Sequence, residues 1–196
     1  GVSFFDLGVP ATLVHILQQQ GISEPFEVQM ESIPDAMLGR DVCCRAPTGS
    51  GKTLAFGLPL LTRCVRADPY LPTSLVLTPT RELAEQICKV LTPLAHEMDL
   101  DVVAVYGGTS YSRQTRPLKR GVDVVVACPG RLLDLMDNGA LSLENVDIVV
   151  IDEADRMADM GFMEPVCLLL DNCSRERQII LYSATLDDEV ADLVKN

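Results

Sequence analysis

No apolar run in this sequence approaches the roughly 20 residues that a membrane-crossing helix needs, so no membrane partner is expected. No charged-then-apolar leader opens it either, and the expectation is an intracellular protein, cytoplasmic or nuclear. Histidine is scarce, with only His15 and His96. The seven cysteines (Cys43, Cys44, Cys64, Cys88, Cys128, Cys167, Cys173) include no C-x-x-C pair. An odd count without ligand spacing argues against a structural zinc site and reads as buried thiols in a reducing compartment. Internal repeats, low-complexity tracts and interdomain linkers are also missing.

Positive charge is the other shortage. Sixteen Lys and Arg stand against 28 Asp and Glu, a net charge of −12, which counts against a nucleic-acid binder. The distribution of charge points the other way. Residues 134–196 hold 15 acids and 4 bases, so nearly all the excess sits there. Residues 102–131 carry Arg113, Arg116, Lys119, Arg120 and Arg131 against Asp123 alone. A local basic face on an acidic body still holds a phosphate backbone, although charge alone favours a plain solvated helix face.

What is present is apolar and regularly spaced. Of 196 residues, 47% are hydrophobic, enough for one domain with a sizeable core. Six β-branched runs stand out, at 41–45, 74–78, 102–106, 122–127, 146–151 and 178–183. Most are too continuous for half-exposed strands and read as strands buried on both faces. Segments with helical spacing lie between them, at 80–96, 110–119 and 129–137. This alternation predicts an α/β fold: a mostly parallel twisted sheet with helices on both faces. Residues 1–40 differ. Helices are expected from Pro10 to Gln20 and from Val28 to Leu38, forming an N-terminal helical segment packed on a core spanning 41–196. The sequence ends in a helix-like acidic stretch from Asp187 to Asn196, with no sign of a finished second domain.

The residues with chemistry follow the strands, as expected where ligands bind at the carboxyl ends of parallel strands. Ala46-Pro47-Thr48-Gly49-Ser50-Gly51-Lys52-Thr53 falls between a strand and a helix-like stretch. Loop amides and a helix N-terminus there can cradle a polyphosphate, Lys52 can reach its terminal phosphates, and Thr53 can place its hydroxyl on Mg²⁺. Val149-Val150-Ile151-Asp152-Glu153 is an apolar strand ending in two carboxylates. Asp152 suits a water-mediated Mg²⁺ contact, and Glu153 suits positioning or deprotonation of an attacking water. Alone, the pair reads equally well as an acidic helix N-terminus.

Asp152-Glu153-Ala154-Asp155 spells D-E-A-D, Ser183-Ala184-Thr185 spells S-A-T, and residues 79–84 spell P-T-R-E-L-A. With the Gly107-Gly108 doublet and the A-x-x-x-x-G-K-T loop, these occur in one order and spacing. The chain resembles the first, RecA-like domain of a DEAD-box ATP-dependent RNA helicase over essentially its whole length. The resemblance implies ATP and Mg²⁺ as ligands and catalytic roles for Lys52, Asp152 and Glu153. It implies RNA-backbone contacts at Thr80, Arg81, Gly108, Gly130 and Arg131, and a coupling role for Asp155, Ser183 and Thr185. Such contacts track a backbone without reading bases, and 2′-hydroxyls favour RNA over DNA. Gln114, on the same segment, receives no role. The adenine site is assigned to Gln29, Phe4 and Ile22. For Phe4, core packing and a base contact stand level.

Three departures matter. Ile22 replaces the aromatic residue usual after the glycine of the adenine-recognition segment, and Pro25-Phe26-Glu27-Val28-Gln29 replaces its Pro-Thr-Pro-x-Gln ending. Cys128 stands where the family has Thr before Pro-Gly-Arg. The third is length: family helicases close two RecA-like domains around ATP and RNA, and the second supplies arginine fingers. The expected partners are therefore RNA, a second RecA-like domain of the same polypeptide, and protein cofactors. Two rivals stay open: a non-catalytic, ATP-switched RNA clamp and a related P-loop motor acting on DNA.

Overall fold

A computed structural model describes residues 1–46 and 51–195. The strands are β1 (Val42–Arg45), β2 (Ser74–Leu77), β3 (Val102–Val105), β4 (Val124–Ala127), β5 (Ile148–Ile151) and β6 (Gln178–Ser183). All pair in parallel, in the order β1-β6-β5-β2-β4-β3. Helices α1 (Ala11–Gln19) and α2 (Glu27–Met37) precede the sheet. Then come α3 (Lys52–Arg63), α4 (Arg81–Glu97), α5 (Tyr111–Arg120), α6 (Pro129–Asp137), α7 (Ala154–Asp159), α8 (Met163–Asp171) and α9 (Asp188–Lys195). Among the described residues, no helix is long and apolar enough to cross a membrane.

Burial explains the strand sequences. Strands β2, β4, β5 and β6 are buried at every position, which is why their apolar runs do not alternate. Strand β1 alternates buried and exposed, and β3 is mostly half-buried, because both are sheet edges. Side chains of successive strand residues face opposite layers. Val76, Val124, Val126, Val150 and Ile180 pack with Phe4, Leu13, Leu17, Ile33, Phe56 and Leu91, so the N-terminal helices share their core with α3 and α4. Leu75, Leu77, Val125, Val149 and Leu181 pack against α6–α9 through Leu132, Leu135, Met157, Val166, Leu169 and Val190. Helices α3 and α4 approach so closely that a Cβ on Gly57 would lie 2.5 Å from Leu91 Cδ2.

Most expected elements begin or end within a residue of their observed bounds, and three differ by more. Strands β4 and β5 start two residues later than the apolar runs suggest. Before β4, the Asp123 carboxylate accepts from Ala67 N and Asp101 N, both at 2.7 Å, which occupies the lead-in residues as a loop anchor. Helix α3 runs beyond the short helical stretch visible after the phosphate loop and contains Pro59. Helices α7 and α8 are not legible as periodic segments. They are 6 and 9 residues long and split at Gly161, which has φ +80°.

The parallel register aligns the strand ends. Arg45 is opposite Ser183, Ile151 opposite Leu77, and Ala127 opposite both Leu77 and Val105. Hydrogen bonding continues one residue beyond several strands. Ala46 N donates to Ser183 O (3.0 Å), Asp152 N to Leu77 O (2.9 Å), Thr78 N to Ala127 O (3.0 Å) and Cys128 N to Val105 O (2.9 Å). All the motif-bearing loops therefore leave the sheet along one rim.

Candidate nucleotide site and nucleic-acid rim

At the β1 end, Ala46 is buried, and Pro47, Thr48, Gly49 and Ser50 lie outside the described residues. Gly51 then caps α3 with φ +79°. A side chain there would be strained and would also collide: its Cβ would sit 2.6 Å from Phe26 Cδ2 and 2.8 Å from Gln29 Nε2. Glycine lets the turn close directly into a helix whose first N–H groups face outward as anion donors.

Lys52, the first residue of α3, is buried at 7% exposure with its ammonium between two carboxylates. Nζ lies 2.9 Å from Asp152 Oδ1 and 3.4 Å from Glu153 Oε2. Both acids are buried. Apart from this ion pairing, those two oxygens accept no hydrogen bond. Burial pushes the Asp152 carboxyl above its ordinary range, opposed by Lys52 and reinforced by Glu153. Glu153 occupies the left-handed region (φ +53°) as the cap of α7, an arrangement costing on the order of 1–3 kcal/mol that turns the chain sharply after β5. Its other oxygen lies 3.7 Å from Arg156 Nη1.

These groups line one cleft of about 580 Å³, together with Ile22, Thr53 and the α4 side chains Leu83, Val90 and Pro93. The size suits a nucleotide, and the apolar wall opposite the charged end suits a base. A smaller cavity of about 280 Å³ between α8 and α9 is lined by Glu164, Asp171, Glu189 and Asp192 against Arg177 alone, a net charge wrong for a phosphate.

Gln29 is 2% exposed. Its Oε1 accepts from Phe26 N (2.8 Å), and its Nε2 donates to Gly51 O (3.0 Å), tying the start of α2 to the phosphate-loop exit. One N–H and one lone pair of the carboxamide remain. Phe4 is 1% exposed and lies inside the core with Leu13 and Phe56, so it offers no ring face to a base; this corrects its assignment to the adenine site. Phe26, by contrast, is 63% exposed.

Asp155, Ser183 and Thr185 form one connected group. Asp155 N donates to Ser183 Oγ (3.2 Å), Ser183 Oγ donates to Thr185 O, and Thr185 Oγ1 donates to Asp155 Oδ2 (3.5 Å).

Along the other half of the rim, Thr80 caps α4 by accepting from Leu83 N (3.2 Å). Arg81 is exposed, pairs with Glu85 at 3.3 Å, and lies over the Tyr106 ring at 4.9 Å. A Cβ on Gly108 would lie 3.5 Å from Arg81 Nη1, so the glycine doublet and this arginine are neighbours. Gly130 is exposed in the first turn of α6, and Arg131 follows it. Cys128 caps α6 without a side-chain bond, and burial pushes its thiol up to about 11.

The remaining basic residues of the sequence cluster do not converge on this rim. Arg113, Arg116, Lys119 and Arg120 run down the length of α5, and Arg120 meets Arg66 at a separate cavity of about 510 Å³ beside Asp101 and Asp123. The thiol expectation also needs correction. All seven cysteines are free, but Cys43 and Cys167 are exposed.

A buried lysine at a glycine-capped helix start, facing a strand-end carboxylate pair across a nucleotide-sized cleft, defines a P-loop domain of the RecA-like type. Comparison with known proteins narrows the class. The sequence profile described as DEAD/DEAH box helicase matches residues 26–193, and the chain belongs to that family. It is 43% identical over 193 residues to the RNA helicase CrhR of Synechocystis, covering 98% of this chain and 39% of that protein. It is 42% identical over 196 residues to the ATP-dependent RNA helicase DeaD of Escherichia coli K12, covering 98% of this chain and 31% of that protein. The chain thus spans a third or so of the length of these relatives. The crystal structure of a DEAD box protein from the hyperthermophile Methanococcus jannaschii superposes with a TM-score of 0.92 at 34% identity, over 99% of this chain and 53% of that one.

Proposed function

We propose that this chain is the first RecA-like domain of an ATP-dependent RNA helicase, holding ATP–Mg²⁺ at the Lys52 cleft and the backbone of single-stranded RNA along the Thr80–Arg131 half of the rim. The observation that carries the reading is the Lys52 ammonium held between Asp152 and Glu153. The residues fit the implied metal: buried carboxylate oxygens that accept no hydrogen bond, beside the Thr53 hydroxyl, suit a hard cation that takes oxygen ligands from one or two carboxylates and a substrate phosphate. When bound, Mg²⁺ supplies charge neutralisation of the phosphates. Lys52 binds the terminal phosphates, Asp152 and Thr53 hold the metal, and Glu153 orients the attacking water and takes its proton. Ile22 and the aliphatic side of α4 flank the base, with Gln29 supplying its remaining donor and acceptor.

Arg81 and Arg131, with amides at Thr80, Gly108 and Gly130, hold phosphates without reading bases. The Asp155–Ser183–Thr185 group links the two halves. In the whole protein, a second RecA-like domain completes the site, and closure around ATP opens short duplexes or displaces bound proteins. An arginine finger contributes on the order of 10³–10⁵ in rate, so the 196 residues alone bind nucleotide weakly and turn over very slowly. Two measurements test this. Glu153→Gln in the two-domain protein abolishes RNA-stimulated phosphate release; an unchanged rate would favour a clamp that uses ATP only as a switch. Robust RNA-stimulated turnover by this chain alone would overturn the need for a second domain.

A further inference from the structure

Gln114 belongs neither to the nucleotide cleft nor to the phosphate-holding residues, yet it is 5% exposed and fully engaged on the rim. Its amide nitrogen donates to Tyr106 O (2.8 Å), just before the glycine doublet, and to Thr109 Oγ1, just after it. Its Oε1 accepts from Arg131 Nη1 at 3.3 Å, and the same Nη1 lies 3.4 Å from Thr109 O. The guanidinium also lies over the Tyr111 ring, with Cζ 5.6 Å from the centroid. Tyr111 is itself fixed: its hydroxyl donates to Asp134 O (3.2 Å) and accepts from Asn138 Nδ2 (2.8 Å).

The chemistry of these partners is informative. An amide oxygen, a carbonyl and an aromatic face orient a guanidinium without cancelling its charge. Among the described residues, Arg131 makes no ion pair, whereas Arg81 is paired with Glu85. Nε and Nη2 remain as a two-pronged donor for an external anion. A buried carboxylate in place of Gln114 would hold the arginine as firmly and neutralise it.

We propose that Gln114 is a positioning residue: it locks the Gly107-Gly108 turn to Arg131 and, with Tyr111, presents an uncompensated guanidinium fork to one RNA phosphate. The inference rests on the reading of this rim as an RNA track, and the test separates the two. Binding of a short fluorescent oligouridylate is measured over a series of KCl concentrations for the 196-residue chain, Arg131→Ala, Gln114→Met and the double variant. Losing one phosphate contact reduces the slope of log K against log salt by about 0.7 for a single strand. Arg131→Ala is expected to show this reduction, with about a tenfold loss of affinity at low salt. Gln114→Met is expected to lose about three- to tenfold, and the double variant to bind no worse than Arg131→Ala, because Gln114 acts through the arginine.

Independent, multiplying losses in Gln114→Met and Arg131→Ala would overturn the proposal. So would an unchanged affinity and slope in Gln114→Met while Arg131→Ala loses both. If Arg131→Ala itself changes nothing, the RNA reading of this part of the rim fails, and the positioning role falls with it. Should Gln114→Met not fold, Tyr111→Ala, at an exposed site, takes its place in the same cycle, with the same outcomes supporting or sinking the idea.

Discussion

Replacing Lys52 by Met tests the charge arrangement of the site without any ligand. The ammonium lies 2.9 Å from Asp152 and 3.4 Å from Glu153. At an effective dielectric of about 20, these attractions amount to roughly 6 and 5 kcal/mol before desolvation is subtracted. Burying all three groups offsets most of that gain. Removing the cation alone, however, leaves two buried carboxylates facing each other, and breaking a buried pair in this way costs about 3–5 kcal/mol. For a domain of this size, 1 kcal/mol moves the melting midpoint by about 2–4 °C, so a fall of about 6–20 °C is expected at neutral pH.

The penalty has a pH signature. Burial already raises the folded-state carboxyl of Asp152 above its ordinary 3.8, and Lys52 is what opposes the rise. Without Lys52, burial and the Glu153 charge push it upward, and only a backbone hydrogen bond from Glu153, the smallest of these influences, pulls the other way. A carboxyl with a raised folded-state pKa binds its proton more tightly in the folded protein. Stability therefore falls as pH rises from 3.8 toward the raised value and stays low above it. The gap between parent and Lys52→Met should thus narrow on acidification from neutral pH. Urea unfolding followed by far-UV circular dichroism at a series of pH values reads it directly. Equal stability at neutral pH, or a gap that widens in acid, would refute the buried ion cluster.

Cys128→Thr should supply the missing side-chain cap of α6, raising stability by about 0.5–1 kcal/mol in a thermal melt; a fall would show that the position has no room for the hydroxyl. Gln178→Leu removes a carboxamide that donates to Ala36 O (2.9 Å) and Arg40 O (2.8 Å) and accepts from Arg63 Nε (3.1 Å). Ala36 O keeps its bond from Gly39 N (3.1 Å), but Arg40 O and Arg63 Nε lose this partner, at a cost of about 1–3 kcal/mol in urea unfolding. Iodoacetamide at mildly alkaline pH should label Cys43 and Cys167 far faster than Cys88 and Cys173, whose thiols burial holds near 12; uniform labelling would contradict the packing.

Much of the site was legible because its chemistry is local in sequence. Lys52, Thr53, Asp152 and Glu153 sit directly after apolar runs, and a parallel sheet brings the ends of such runs to one edge. The strands were legible for the same reason, since four of the six are buried throughout. What escaped depends on partners far apart in the chain. The pairing of Lys52 with both carboxylates, the tyrosines beneath Arg81 and Arg131, and the three bonds of Gln114 span separate elements and leave no periodic trace. Phe4 shows the converse limit. An aromatic at that position is equally compatible with a base and with a core, and only burial separates the two.

The strand order has a mechanical consequence. The strands leading to the proposed nucleotide residues (β1 and β5) flank β6, which leads to the proposed coupling residues, and the three leading to the proposed RNA residues (β2, β4, β3) lie together beside them. From β5 to β3 the distance is three inter-strand steps, about 14 Å, spanned by backbone hydrogen bonds from Asp152 N to Leu77 O, Thr78 N to Ala127 O and Cys128 N to Val105 O. Such a bridge neither stretches nor shears without breaking sheet hydrogen bonds. The two halves of the rim are thus held at a fixed spacing: under the proposed function, a nucleotide at one half and an RNA strand at the other would be registered by a single stiff unit.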